Sequence, residues 1–267
     1  MDSKGTHLNA LSIVLVCMDN LEAVIKTHRS LQGLNYPTAE IIVIDSSRDQ
    51  RIESYISEYL EHENIKYFWQ SPQGVYAAMN LGIKKLKNNS YVWFLNPGDV
   101  LISPLTVFKI MEELAKKDLE WGFAQARNAY PNQANIYPSK EVEVSQKKIS
   151  RGELTISHQA IFAKKSALVK NGYFDEKLKI ASDIEMTLKL AKSQTIMISE
   201  VAVQIDQNGI SSLYPLKTIF ETALVNRRLG LWGTGYTYFR VLNNLAVLFY
   251  GQTKFFFAKR VKKVMKR

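Results

Sequence analysis

Four short apolar runs, each followed by a segment of helical periodicity, fill the first 120 positions of the chain. The runs are residues 11–17 (LSIVLVC), 40–45 (EIIVID), 65–70 (IKYFWQ) and 91–95 (YVWFL). The helical segments are residues 21–32, 50–62, 74–87 and 104–117. In the third of these, Val75, Ala78, Met79, Gly82, Ile83 and Leu86 recur with a period near 3.6 residues. Strands that are apolar along their length, instead of alternating, are buried on both faces. Their alternation with helices predicts an α/β fold with a mostly parallel sheet and helices on both sides. Ligands of such sheets lie beyond the carboxyl ends of the strands. The residues to watch are therefore Asp19, those at 45–49 and 70–74, and those at 96–99.

Regularity continues less evenly downstream. Residues 119–126 read as another strand, and 128–151, with Pro131 and Pro138, as a variable excursion. Order resumes at 157–165, with a helix near 184–192, a strand at 196–205 and a helical tail from Pro215. Domain boundaries are expected at 1–214 and 215–267.

Charge separates the same two parts. The net charge is +10, yet the stretch from Thr222 to Arg267 holds ten Lys/Arg and no Asp/Glu. The rest of the chain is balanced, so the excess describes a tail that suits an anionic partner. Phe255, Phe256 and Phe257 beside Lys259, Arg260, Lys262, Lys263, Lys266 and Arg267 combine apolar anchors with cations. That combination predicts contact of residues 254–267 with an anionic membrane surface; the alternative is aromatics packed on the domain with solvated lysines. Nucleic-acid binding is not expected, because the basic residues are terminal and no nucleic-acid module is present. No run approaches the roughly 20 apolar residues of a spanning helix. The apolar run at 10–18 lacks the basic leader and cleavage site of a signal peptide. The single cysteine, Cys17, reads as a buried thiol in a reduced, intracellular chain.

The first strand–helix turn, CMDNLEA, has no glycine, so the dinucleotide-binding fingerprint is absent, as is a P-loop. This argues against a nucleotide-dependent oxidoreductase. A bound diphosphate would need another counter-charge, and a divalent cation held by carboxylates supplies one. Asp99 follows the fourth strand through a Pro-Gly turn and is either such a ligand or an ordinary turn aspartate. Asp45, ending the second strand, either meets a nucleobase or ribose or caps the next helix. Asp183 is either a helix N-cap or a general base held at a helix start. His158, at the head of an apolar stretch, reads as structural on its chemistry alone.

Taken in order, SIVLVCMDN, EIIVIDSSRD, QGVYAAMNLGI, FLNPGD, HQAIF, GYFDE, SDIEM and NGISS resemble glycosyltransferase family 2 in its GT-A fold. The likeness runs from about Leu11 to Ser212, and it is similar to bacterial enzymes that build polysaccharides and surface glycans. A Rossmann-like, mostly parallel sheet with helices on both faces is then expected, with a basic, aromatic helical tail. The resemblance implies an inverting transferase that uses a nucleotide-diphosphate sugar, commonly UDP-linked, with Mn²⁺ or Mg²⁺. The acceptor is then a glycan or a lipid-linked hydroxyl, and the location cytoplasmic, at the inner face of the plasma membrane. By position, Asp45 resembles the carboxylate that contacts the nucleoside, and Asp99 the metal ligand beside the diphosphate. Gly74 and Asn80 match the helix lining the donor, Asp183 the catalytic base, and His158 and Gln159 a segment on the acceptor side. The chain departs from the usual DKGIYDAMNKG at Pro72, Gln73, Ala77 and Leu81, and has Asn96 where a first Asp is often found. Fewer carboxylates imply a weaker metal site or a different donor. The alternative is a non-catalytic GT-A-like subunit that binds sugar nucleotides.

Overall fold

A computed structural model describes residues 9–59, 64–86, 90–130, 133–206 and 213–264. They form two compact units, 1–207 and 208–267.

The first unit is built on a nine-stranded sheet. Its opening half is β1 (Leu11–Cys17), α1 (Leu21–Leu31), β2 (Ala39–Asp45), α2 (Arg51–Ser57), β3 (Ile65–Trp69), α3 (Val75–Lys85) and β4 (Tyr91–Leu95). The strands lie in the order β3-β2-β1-β4, all parallel, with Cys17, Asp45 and Trp69 in register at the carboxyl edge. The apolar character of β1 is explained by its two faces. Leu11, Ile13, Leu15 and Cys17 join the cluster with α1 and α2, while Val14 and Val16 join the one beneath α3. The one polar residue inside β1 is paired: Ser12 donates to Glu40 at 2.7 Å, and Glu40 in turn accepts from Lys66 at 2.8 Å. Such pairing is what makes buried polar groups tolerable.

The second half of the sheet is mixed. β5 (Val100–Leu101) and α4 (Pro104–Lys116) lead to β6 (Trp121–Tyr130) and β7 (Gln133–Tyr137). Then come α5 (Gln146–Ser150), a 3₁₀ turn (His158–Ala160), β8 (Ile161–Lys164), α6 (Lys165–Lys170), α7 (Ser182–Leu190) and β9 (Thr195–Ile205). β8 runs antiparallel between β4 and β6, and β9 is parallel to β6. The expected excursion at 128–151 is thus partly regular. β6 continues to Tyr130 and pairs with β7, because backbone hydrogen bonds extend a strand past the end of its apolar residues. The expected helix at 50–62 is shorter: it ends at Ser57, with Glu58 as its C-cap and a turn at 58–59, and 60–63 lie outside the described residues.

Two glycines are fixed by backbone geometry. Gly74 takes φ +104° as it caps α3, so that helix begins at Val75. Gly98 takes φ +96° in the turn after β4, where an added Cβ would lie 2.4 Å from an Asp206 carboxylate oxygen. Gly98→Ala is expected to cost about 1–3 kcal/mol through backbone strain, before any cost of moving Asp206. Chemical denaturation checks this; a variant as stable as the parent contradicts it.

The second unit holds α8 (Pro215–Arg228) and α9 (Thr234–Val264), which pack on each other. Among the described residues no helix is long and apolar enough to cross a membrane.

Candidate active site

The carboxyl edge of the parallel strands gathers most of the residues singled out in the sequence. Asp45 is fully buried at the end of β2. One carboxylate oxygen accepts from the Ser47 backbone N–H at 2.8 Å and the Ser47 hydroxyl at 2.6 Å; the other accepts from the Tyr67 hydroxyl at 2.9 Å. It does not cap α2, whose first residue lies six positions on and whose N-cap is Gln50. Burial first, then the Asp45 carboxylate, push the Tyr67 hydroxyl well above its ordinary pKa. The neighbouring turn is stitched to this one: Asp19 N–H donates to Ser47 Oγ at 2.8 Å, and Arg48 N–H to Asp19 Oδ1 at 3.0 Å.

Asp99 is 1% exposed. Its Oδ2 accepts from Asn96 N–H at 2.7 Å and its Oδ1 from Asp206 N–H at 3.0 Å. The first bond is the turn-aspartate geometry; the second brings the start of the β9 exit loop to the same place. Burial pushes the Asp99 carboxyl up to about 6, against the pull of the two N–H donors and of His158. The Asp206 carboxylate lies against Gly98, so the missing side chain there is what lets a second acidic group approach.

Asp183 stands on the first turn of α7 and is not its N-cap, a position taken by Ala181. One Asp183 oxygen meets His158 Nδ1 at 3.0 Å. The other accepts from its neighbour's N–H, that of Ile184, at 2.8 Å and lies 3.1 Å from the Tyr76 hydroxyl, which also donates to Ile180 O. Burial alone would raise the Asp183 carboxyl. The His158 bond and charge, the Ile184 N–H and the Tyr76 hydroxyl outweigh it and hold the group below the usual carboxylate value. His158 and Asp183 each keep about a fifth of their side chain exposed, at 21% and 23%. On its far side His158 Nε2 lies 3.4 Å from the Asn96 amide nitrogen. Asn96 thus links the two acidic centres, Asp183 through His158 and Asp99 through the turn. A cavity of about 20 Å³ opens behind His158 and Asp183, lined by Phe94, Phe174, Met186 and Leu190. That is room for one water.

Asn80 and Gln159 are committed elsewhere. Asn80, buried on α3, clamps the 174–176 segment: its amide donates to Phe174 O at 2.9 Å and Glu176 Oε1 at 2.8 Å, and it accepts from Phe174 N–H at 2.9 Å. Any effect of Asn80 on a donor is therefore through positioning. Gln159 is buried; its side chain takes the Ser157 hydroxyl and its carbonyl accepts from Trp93 Nε1 at 2.6 Å. His158, expected on the acceptor side, lies against Asp183. Gly74 is exposed at the mouth of α3.

Tyr76, Tyr67 and Asp206 were not singled out in the sequence. The signal for Asp206 was present: like Asp45, it is an acidic residue just past a strand rich in β-branched residues. Tyr76 stood at the tyrosine of the quoted QGVYAAMNLGI segment, whereas Tyr67 sits within an apolar run and gave no signal.

Among the described residues, no group of three or more His, Cys, Asp or Glu is arranged to hold a metal. The donor set nonetheless fits a hard cation. Asp99, a buried carboxylate with a raised pKa, and Asp206, whose backbone N–H donates to it, could supply oxygen ligands. Phosphate oxygens and water complete the coordination that Mn²⁺ or Mg²⁺ takes.

A half-parallel, half-mixed α/β sheet, with carboxylates instead of glycines along its carboxyl edge, is the GT-A fold of a glycosyltransferase. The chain belongs to glycosyl transferase family 2, whose sequence profile matches residues 12–168. It is 28% identical over 84% of both chains to an uncharacterized glycosyltransferase of Mycobacterium tuberculosis. It is also 28% identical to the poly-beta-1,6-N-acetyl-D-glucosamine synthase of Staphylococcus epidermidis, over 70% of this chain and 47% of that one. The chain therefore spans about half of that synthase. Among solved structures, S. aureus TarS 1-349 in complex with UDP-GlcNAc superposes with a TM-score of 0.67 at 17% identity, covering 81% of this chain and 66% of that one. A mannosyltransferase from Pyrobaculum calidifontis, in complex with GDP-Man and Mn²⁺, gives 0.65 at 13% identity, covering 86% and 66%.

Proposed function

We propose that this glycosyltransferase inverts configuration, moving a sugar from a nucleoside-diphosphate donor, UDP-linked by preference, to a hydroxyl of a glycan or lipid-linked acceptor in cell-surface polysaccharide synthesis. The observation that carries the reading is the continuous line of groups from Asp183 through His158 and Asn96 to Asp99 and Asp206. It sets a solvent-reachable carboxylate, held ionised, close to a pair of carboxylates suited to a cation. Two structural neighbours, one in complex with UDP-GlcNAc and the other with GDP-Man and Mn²⁺, support the donor class.

In this reading the acceptor hydroxyl attacks the anomeric carbon on the face opposite the diphosphate. The bond to the diphosphate oxygen breaks as the new glycosidic bond forms. Asp183 Oδ takes the acceptor proton; a positioned base of this kind contributes about 10²–10⁴ in rate. Asp45, with Tyr67 and Ser47, shapes the nucleoside end of the edge. Asp99 and Asp206 would hold Mn²⁺ or Mg²⁺, which when bound supplies positive charge to the leaving diphosphate. The basic, aromatic residues 254–267 bring the enzyme to an anionic membrane surface at the cytoplasmic side, where a lipid-linked acceptor is presented.

A thermal-shift panel of nucleotide sugars with and without Mn²⁺ tests this. Ligand binding raises Tm in proportion to the logarithm of ligand excess. A UDP-sugar is expected to stabilise most, and only with the cation; no shift with any donor refutes the reading.

His158 acts here as a positioning residue. His158→Ala is expected to lower kcat with little change in the donor KM. It also moves the acidic limb of the pH–rate profile upward, because Asp183 loses the partner that keeps it ionised at low pH. An unmoved limb would show that His158 serves only packing.

A further inference from the structure

The second unit carries an apolar surface that neither of its helices uses. α8 buries Ala223, Val225 and Asn226, yet its Leu216, Phe220 and Leu224, spaced four apart, are exposed. α9 is more pronounced. Tyr238, Phe239, Leu242, Val247, Phe249 and Tyr250 are all exposed, Leu242 at 65% and Phe249 at 58%. At 100° per residue these six fall on one half of the helix. No exposed position from 236 to 250 carries a charge. The one cation in that stretch, Arg240, lies 5.6 Å over the Trp232 ring, off this face.

A contiguous apolar face of this extent marks an interaction surface. Its composition selects the partner. Tyr mixed with Leu and Phe suits the boundary between headgroups and acyl chains. The surrounding sequence, ten cations and no acidic residue from Thr222 to the end, suits an anionic surface and repels a second copy of itself. Among the described residues the helix is not apolar enough over a sufficient length to cross a membrane. A helix that presents an exposed apolar, aromatic face beside a run of cations lies in the interface plane.

We propose that the 236–250 face of α9 is a bilayer-contact surface for anionic membranes, its aromatic and leucine side chains entering the headgroup boundary. The contact begins some twenty residues before the basic tail. It rests on the membrane half of the proposed function and not on the catalytic half.

Cosedimentation with vesicles of phosphatidylcholine and phosphatidylglycerol, compared with phosphatidylcholine alone, tests this on the full chain. The parent is expected to pellet with the anionic vesicles, and Leu242→Glu/Phe249→Glu to lose at least tenfold in partition at unchanged Tm. A second probe does not depend on that variant folding. An environment-sensitive dye on Leu242→Cys is expected to shift to the blue on adding anionic vesicles; Cys17, buried with its thiol pushed up, stays unlabelled. Equal binding by parent and double variant, or a dye that does not shift, overturns the proposal. So does a parent that is dimeric by light scattering and becomes monomeric in the double variant, since a second copy would then cover the face. Gln at Lys259, Arg260, Lys262 and Lys263 separates the two readings: if these changes alone abolish binding while the double variant binds normally, the tail holds the membrane and the α9 face does not.

Discussion

Asp183→Asn is expected to lower turnover by about 10²–10⁴ while the donor KM and the fold are retained. The substitution keeps the shape of the side chain and an oxygen for the Ile184 N–H, and removes the capacity to take a proton together with the charge that faces His158. The loss therefore falls on the chemical step. The charge state supports this assignment: the partners around Asp183 keep it below its ordinary value, so it is ionised throughout the neutral range. Its folded-state pKa is depressed, so its contribution to stability is present above the ordinary carboxylate range and is lost as pH falls through the lowered value. Asn removes that acid-side dependence, which pH-dependent melting reads independently of activity. Turnover within a few fold of the parent would take Asp183 out of the mechanism.

The second large effect is expected at Asp99. Asp99→Ala abolishes Mn²⁺-dependent stabilisation and donor turnover, since it removes the buried member of the carboxylate pair. The pH dependence has a definite sign. The Asp99 pKa is raised to about 6, so without a cation the fold is most favoured below the unfolded carboxylate value and loses stability as pH rises through about 6. A cation needs the ionised form and competes with that proton. The rise in Tm on adding Mn²⁺ is thus expected to be large at pH 7.5 and to fade toward pH 5. A stabilisation by Mn²⁺ independent of pH, or retained in Asp99→Ala, would place the cation elsewhere.

The strand–helix alternation was legible because β1, β2 and β4 are buried on both faces and so carry an unbroken apolar signal. The antiparallel insertion of β8 between β4 and β6 was not, since a four-residue strand has no periodicity that states its direction. The site divides in the same way. Asp45, Asp99 and Asp183 stand next to strand or helix ends and could be picked out by position. Tyr67 sits in an apolar run and Tyr76 within the third helical segment, and only the tertiary structure turns their hydroxyls toward those carboxylates. Asn80 shows the opposite case: its match to a donor-lining helix is real in sequence, while its amide is spent on the Phe174 backbone and the Glu176 side chain. His158 read as structural because its partner lies 25 positions away.

The edge formed by Asp45, Asp99, Asp206 and Asp183 is proposed to receive a nucleoside diphosphate with a cation. Calorimetric titration of UDP into the full chain at pH 7.5, with and without Mn²⁺, tests it most directly. Saturable one-to-one binding that requires Mn²⁺ is the expected result. No heat beyond dilution for UDP or GDP, with or without the cation, would contradict it.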